Sequence, residues 1–415
     1  MQHPDYHEIR KQFRRREEWA DGTPLVFTKE GVDLYFTEHC SENAGYLLGR
    51  PEYTCKEHGL VFPGEPTSGE PIDYLIEENI RFRYPLLREH GAGPLRRHRN
   101  VVILMHGLNE RSFTKYIPWA YQIWSMTRYP VILFPLTFHI NRVRREWAGE
   151  QHAIYCRRCA IPGNEHAHRY NAIISERLWT HPERFIWGAI QSYWDIMDIV
   201  RKIREDRHPH FAPDARVDLL GFSAGGYVAL TLLLENHRDY FRSSRGVMFA
   251  SCAAVRDVNL ASPLILDHLA EMALMKLHVK YREKLMNSRL RHWFEEHGEG
   301  RWLNAFCGLM PNRTLLDQRL REIAPRLLGI AGMEDQVMTP GAMMNALQGI
   351  RRDTGVRVLE LPLGIHENPF ACPDYGQKER SMITEFLNEE LFGKEFEQFI
   401  QSACAHLTTN AQSFD

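Results

Sequence analysis

The sequence predicts an α/β protein with the architecture of a mostly parallel sheet, helices on both faces, an antiparallel N-terminal edge and helical cap insertions. Three observations carry this reading. Short, continuous apolar runs recur at 101–105, 131–135, 217–220, 246–250 and 326–331, as strands buried on both faces do. Stretches of helical periodicity separate them, in units of roughly 30 residues or more. Before residue 100 apolar and polar residues alternate instead, which suits antiparallel strands with one wet face.

The elements follow in order. Residues 24–38 alternate through Leu25, Phe27, Val32, Leu34 and Phe36 around Gly31, which predicts a hairpin or a pair of edge strands. Residues 64–71 and 90–98 read as loops, and 78–87 alternates as another antiparallel strand. After the run at 101–105, helical spacing over 113–126 leads to the run at 131–135. From 139 to 179 the pattern dissolves into Arg, His and short turns. Thr180 and Glu183 have capping-box spacing and Pro182 sits in the first turn, so a helix is expected from there through Ile186, Ile190, Tyr193, Met197 and Val200. Residues 257–320 are irregular, mostly helical, and rich in Leu, Met, Arg and Trp. Thr339 and Pro340 start a helix expected to run to residue 350, 356–363 is the last strand, 381–399 is helical, and 408–415 reads as a disordered tail. The expected organisation is an N-terminal extension with edge strands (1–99) and a core (100–400) carrying caps near 141–180 and 257–320.

Composition narrows the class. With 415 residues, 44% hydrophobic and 25% charged, and a formal net charge of -2, the chain has the balance of a soluble globular protein and no basic excess for a nucleic-acid partner. Its apolar runs are far too short for a membrane span. The N-terminus is polar and enters Lys11, Arg14, Arg15 and Arg16 without the apolar segment of a secretion signal. Eight scattered cysteines fit free thiols in a reducing compartment, so a cytoplasmic location is expected.

One stretch carries chemistry. The run 217–220 enters Gly221-Phe222-Ser223-Ala224-Gly225, and an apolar helical stretch leaves it. This is the pattern of a strand, a sharp turn and a helix with one hydroxyl at the apex. A serine needs a base, an orienting acid and an oxyanion pocket to act as a nucleophile. His366 follows the last predicted strand and is the candidate base. Asp335 follows the strand ending at Ala331 and is the candidate acid, with Asp257 as the alternative, and Glu334 is expected to point elsewhere. His106-Gly107-Leu108 follows the first buried strand. There the N–H groups of Leu108 and Ala224 are the candidate oxyanion donors, and His106 is expected to support the loop.

In this order of oxyanion loop, nucleophile, acid and base, the sequence resembles the α/β-hydrolase superfamily over roughly 101–392. The resemblance rests on His106-Gly107, Gly221 to Gly225, Gly332 to Asp335, and Gly364-Ile365-His366. No run of three glycines follows His106, so the pattern is nearer lipases, carboxylesterases and dienelactone-hydrolase-like enzymes than the hormone-sensitive-lipase branch. The resemblance implies a serine hydrolase (EC 3.1.1 class) that cleaves a carboxylic ester or thioester of a small-molecule acyl substrate through an acyl-enzyme, with no cofactor. The alternative is a non-catalytic protein of the same fold serving as a binding or scaffold module. The long interval from Gly107 to Ser223 fits an insertion near 141–180, and the Trp, Leu and Met of 264–309 are expected to line the cap.

Two other clusters have side chains that could bind a metal or an acidic group. Cys156 and Cys159 have zinc-type spacing, but His166 and His168 are closer together than paired zinc histidines usually are, so free thiols in a cap loop are expected and no metal. Cys40, Cys55, His39 and His58 form a looser set. Arg142, Arg144, Arg145, Arg157 and Arg158 read as a solvated or salt-bridged cap face rather than as a site for an acidic substrate.

Overall fold

Apolar runs too short for helices become strands here because both faces of the sheet are covered. The computed structural model describes residues 25–27, 31–65, 72–91, 97–282, 288–306, 313–349, 351–362, 365–370 and 382–409. Its strands are β1 (Leu25–Phe27), β2 (Val32–Cys40), β3 (Glu52–Thr54), β4 (Val61–Pro63), β5 (Arg81–Glu89), β6 (His98–Met105), β7 (Val131–Phe134), β8 (Phe211–Phe222), β9 (Gly246–Phe249), β10 (Leu327–Gly332) and β11 (Arg357–Leu361). Nine of them form one sheet in the order β1-β2-β5-β7-β6-β8-β9-β10-β11, and β3 and β4 form a separate hairpin. β7, β6, β8, β9, β10 and β11 pair in parallel. β1, β2 and β5 make the antiparallel edge, and β5 joins β7 antiparallel. The expected architecture is therefore present.

The helices are α1 (Ile117–Thr127), α2 (Trp147–Cys159), α3 (Ala172–Thr180), α4 (Arg184–Arg204), α5 (Ala224–Glu235), α6 (His268–Arg282), α7 (Ser288–Glu296), α8 (Gly298–Phe306), α9 (Arg313–Ile323), α10 (Pro340–Gln348) and α11 (Met382–Thr408), with a single helical turn at Glu77–Ile80. Alternation along β6 assigns its side chains to two cores. Val101, Ile103 and Met105 join α4 and α5 on one face. Val102 and Leu104 join α1 and α11 on the other. Each of these five is 0–1% exposed, and burying a side chain of this size contributes roughly 1.5–3 kcal/mol.

Several boundaries differ from expectation. The strand expected over 78–87 begins at Arg81, because the preceding residues form the helical turn. Thr180 does not cap α4. Its hydroxyl donates back to the Glu176 and Arg177 carbonyls and closes α3, while Glu183 stands before α4 without a side-chain cap. The stretch 139–179 contains two helices whose apolar faces are narrow, so its periodicity was hidden among Arg and His. α10 does begin after a Thr339 cap, its Oγ1 accepting from Ala342 N–H at 3.3 Å, but it ends at Gln348. α11 runs to Thr408, since Phe396, Phe399, Ile400, Ala403, Cys404 and Leu407 form one buried stripe. The disordered tail expected over 408–415 starts too early, since Thr408 still belongs to α11; its remainder from 410 onward, the N-terminal segment 1–24 and Gly364 lie outside the described residues.

The arginine cluster is salt-bridged throughout. Arg142 is fully buried, pairs with Asp195 at 2.7 Å and stacks over Phe82, and Arg158 pairs with Asp267 and Glu176. Arg144, Arg145 and Arg157 pair with Glu146, Glu78 and Glu176. Among the described residues no helix is long and apolar enough to cross a membrane.

Burial also fixes the charge of His208. Its Nδ1 accepts from His210 N–H and its Nε2 faces Tyr84 Oη at 3.2 Å, so it is neutral, and burial lowers its pKa to about 3. The unfolded chain takes up a proton at this residue near pH 6.5 while the folded chain does not, so the wild type loses stability as pH falls from there. In His208→Gln the liability is gone. Chemical denaturation of both proteins should show the wild type losing up to about 1.4 kcal/mol per pH unit relative to the variant between pH 6.5 and 4. A pH-independent difference would refute a neutral His208.

Candidate active site

Ser223 is the one residue between the end of β8 and the start of α5, and it sits at φ 50°, ψ -120°. A non-glycine residue held there costs about 1–3 kcal/mol and persists only when its surroundings over-determine it. They do. Ser223 N–H donates to Phe249 O at 3.0 Å, Gly226 N–H donates to Ser223 O at 3.0 Å, and Ser251 Oγ donates to the same carbonyl at 2.5 Å. The glycines are required by contact rather than by conformation. A Cβ on Gly221 would lie 2.4 Å from Gly226 Cα, one on Gly225 would lie 2.6 Å from Met105 O, and one on Gly226 would lie 2.1 Å from Ser251 Oγ.

The structure brings His366 and Asp335 to this serine. His366 Nε2 is 2.8 Å from Ser223 Oγ, and Nδ1 is 2.7 Å from Asp335 Oδ2. A carboxylate only accepts, so Nδ1 carries the proton and the Nε2 lone pair faces the hydroxyl. Asp335 Oδ1 is fixed by the N–H groups of Val337 and Met338 at 2.9 and 2.7 Å. The imidazole stacks on Phe222, 5.2 Å between centroids. All three side chains are at least nine-tenths buried. Glu334 is exposed, and so is Asp257, which pairs with Arg256; neither takes part in this chain of contacts.

His106 is fully buried with both nitrogens engaged. Nδ1–H donates to Gly107 O at 2.8 Å and Nε2 accepts from Leu136 N–H at 2.9 Å. Burial drives its pKa well below 6.5, with His139 nearby adding to the effect, so it holds the loop as a neutral group. Leu108 follows Gly107 on that loop and Ala224 is the first residue of α5, where helix N–H groups face outward.

Sequence reasoning missed the residues that hold this loop. Tyr116 Oη accepts from Gly107 N–H at 3.0 Å and donates to Glu110 at 2.7 Å. Glu110 pairs with buried Lys115, whose ammonium donates to Glu367 O at 2.9 Å, next to His366. Glu367 in turn accepts from Ser262 Oγ at 2.6 Å. Charged residues converging beside the His-Gly loop had no local pattern to reveal them.

Two cavities meet at this site. One of about 220 Å³ is lined by Ser223, His366, Gly107, Tyr170 and Leu264. The other, about 390 Å³, extends past Leu108 and Ala224 among Leu136, Phe138, Trp147 and Ile174. The expected lining by 264–309 is thus largely replaced by 136–192, with Leu303 as a contributor from α8. The reason is that Leu290, Trp293 and Phe294 of α7 turn away to pack with Leu47, Leu48 and Phe62.

The Cys156 set is not drawn together as a ligand group. Cys156 lies 3.7 Å from His152, and Cys159 lies 3.7 Å from Ala167 O.

No curated protein matches the sequence. Among solved structures the chain is similar to a thermostable esterase from Pseudomonas putida ECU1011, at 10% identity with 99% of this chain and 94% of that one covered and a TM-score of 0.41. It is similar to a bacterial heroin esterase at 10% identity, 98% and 94% coverage and a TM-score of 0.43. It is also similar to a Pyrobaculum calidifontis esterase at 12% identity, 79% and 81% coverage and a TM-score of 0.39. Over residues 5–401 the sequence matches the model of DUF6051, a family of unknown function, and the chain belongs to that family.

Proposed function

We propose that the protein is a serine hydrolase of the α/β-hydrolase superfamily that cleaves a carboxylic ester or thioester with an apolar acyl group. The observation that carries the proposal is His366 bridging Ser223 Oγ and Asp335 Oδ2 at 2.8 and 2.7 Å. Strand order and the strained turn at Ser223 support it.

In the proposed reaction Ser223 Oγ attacks the acyl carbon and passes its proton to His366 Nε2. Asp335 holds the imidazole in the reacting tautomer and stabilises the imidazolium. The N–H groups of Leu108 and Ala224 take the negative oxygen. His366 then protonates the leaving alkoxide or thiolate, and water, deprotonated by the same imidazole, releases the acid and regenerates Ser223. The larger cavity receives the acyl chain and the smaller one the leaving group.

A fluorophosphonate probe should label the native protein and leave Ser223→Ala unlabelled; absence of native labelling, or equal labelling of the variant, sinks the proposal. In Asp335→Asn the side chain still fits but favours the wrong tautomer of His366, so kcat should fall by about 10⁴-fold. Ala189 lines the larger cavity. Ala189→Trp should lower kcat/KM for p-nitrophenyl octanoate by about tenfold or more while leaving the acetate ester nearly unchanged. An equal loss for both esters would remove the acyl assignment of that cavity.

A further inference from the structure

Far from Ser223 in sequence, four side chains with metal-binding chemistry converge. Cys55 and His58 stand on the turn between β3 and β4, and His292 and His297 stand on α7 and just after it. Cys55 Sγ and one ring nitrogen from each histidine all lie within 4.8 Å of one another. We propose that Cys55, His58, His292 and His297 bind a single zinc ion that ties the β3–β4 hairpin to the α7–α8 corner.

The distances suit tetrahedral ligation. Zinc–sulfur and zinc–nitrogen bonds of about 2.3 and 2.05 Å at the tetrahedral angle put sulfur and nitrogen about 3.6 Å apart. Cys55 Sγ lies 3.4 Å from His58 Nδ1 and 3.3 Å from His297 Nε2. Hydrogen bonding alone explains the cluster less well. A thiol has one proton, whereas three imidazoles crowd it, with ring centroids 4.9–5.2 Å apart. His292 is 9% exposed, and its Nε2 is buried with no hydrogen-bond partner.

The surroundings match a metal site in two further ways. His297 turns its other nitrogen, Nδ1, to Glu57 at 3.3 Å, the carboxylate contact that commonly orients a metal-bound imidazole. The ring also lies flat on Trp293, 3.7 Å between centroids. The hairpin turn is preformed: Gly59 N–H donates to Cys55 O at 2.8 Å, and Gly59 adopts φ +66°, which a glycine takes without strain. The His-x₄-His spacing at a helix end falls in the range of small structural zinc modules, and on the hairpin His58 stands where those modules usually place a second cysteine. With four protein ligands the coordination is closed, so the ion has a structural role and no part in ester cleavage.

The test uses the full chain. Protein purified from zinc-supplemented medium should carry about one zinc per chain by mass spectrometry of the metals. Replacing zinc with cobalt(II) should give visible d–d bands of tetrahedral intensity and a near-ultraviolet thiolate-to-cobalt band. Cys55→Ser should lose that near-ultraviolet band, and His58→Ala, at an exposed turn position, should weaken metal retention even where Cys55→Ser fails to fold. Chelation should lower the thermal midpoint, and zinc alone should restore it. Substoichiometric metal in the wild type, or the thiolate band persisting in Cys55→Ser, would overturn the assignment.

Discussion

Between Phe222 and Ala224 the chain changes from strand to helix in one residue, and much of the molecule exists to make that possible. The helix can start so close to the sheet only because Gly221, Gly225 and Gly226 carry no Cβ where backbone and Ser251 already stand. The strain at Ser223 is then held by acceptors and donors from β9 and the segment after it. β6 and β9 flank β8 on either side, so two buried strands stand beside the residue whose backbone the turn strains.

The local signals for this arrangement were strong because they are short-range. Ser223, Asp335 and His366 each follow a run that reads as a strand, and parallel strands deliver their C-terminal ends to one edge. What joins those ends is not written locally. Lys115, Glu110 and Tyr116 look like ordinary residues around the start of α1; their contacts with one another and with Gly107 are local, but the one from Lys115 to Glu367 spans 252 residues of chain. The same holds for Cys55 and His58. Their spacing was visible, but their partners His292 and His297 lie beyond any sequence window, and Cys40 and His39, the nearer candidates, sit on β2 instead.

Periodicity failed where charge does the packing. Buried arginines on and around α2 and α3 make the attachments: Arg158 of α2 to Asp267, Arg177 of α3 and Arg184 at the start of α4 to Asp73, and Arg142, ahead of α2, to Asp195. A buried pair of this kind adds little net stability over an apolar contact, yet removing one partner leaves a costly lone charge. The 136–192 segment is therefore placed by matched charges as much as by its apolar stripe, and a hydrophobicity pattern sees only half of that. These pairs tie the wall of the larger cavity, which Arg177 and Arg184 help to line, to the body of the fold.

Behind the reactive turn stands a column of rings. Trp119 touches Phe222, Phe249, Phe370 and Phe399, so it links the turn, β9, the segment after His366 and α11. The last of these contacts comes from a helix that reaches residue 408. Translation therefore makes Ser223 long before it makes the surface that finishes its support. A nascent chain with β8 already extruded still lacks one wall of the aromatic column, and the geometry around the serine is completed only after Phe399 of α11 has been made.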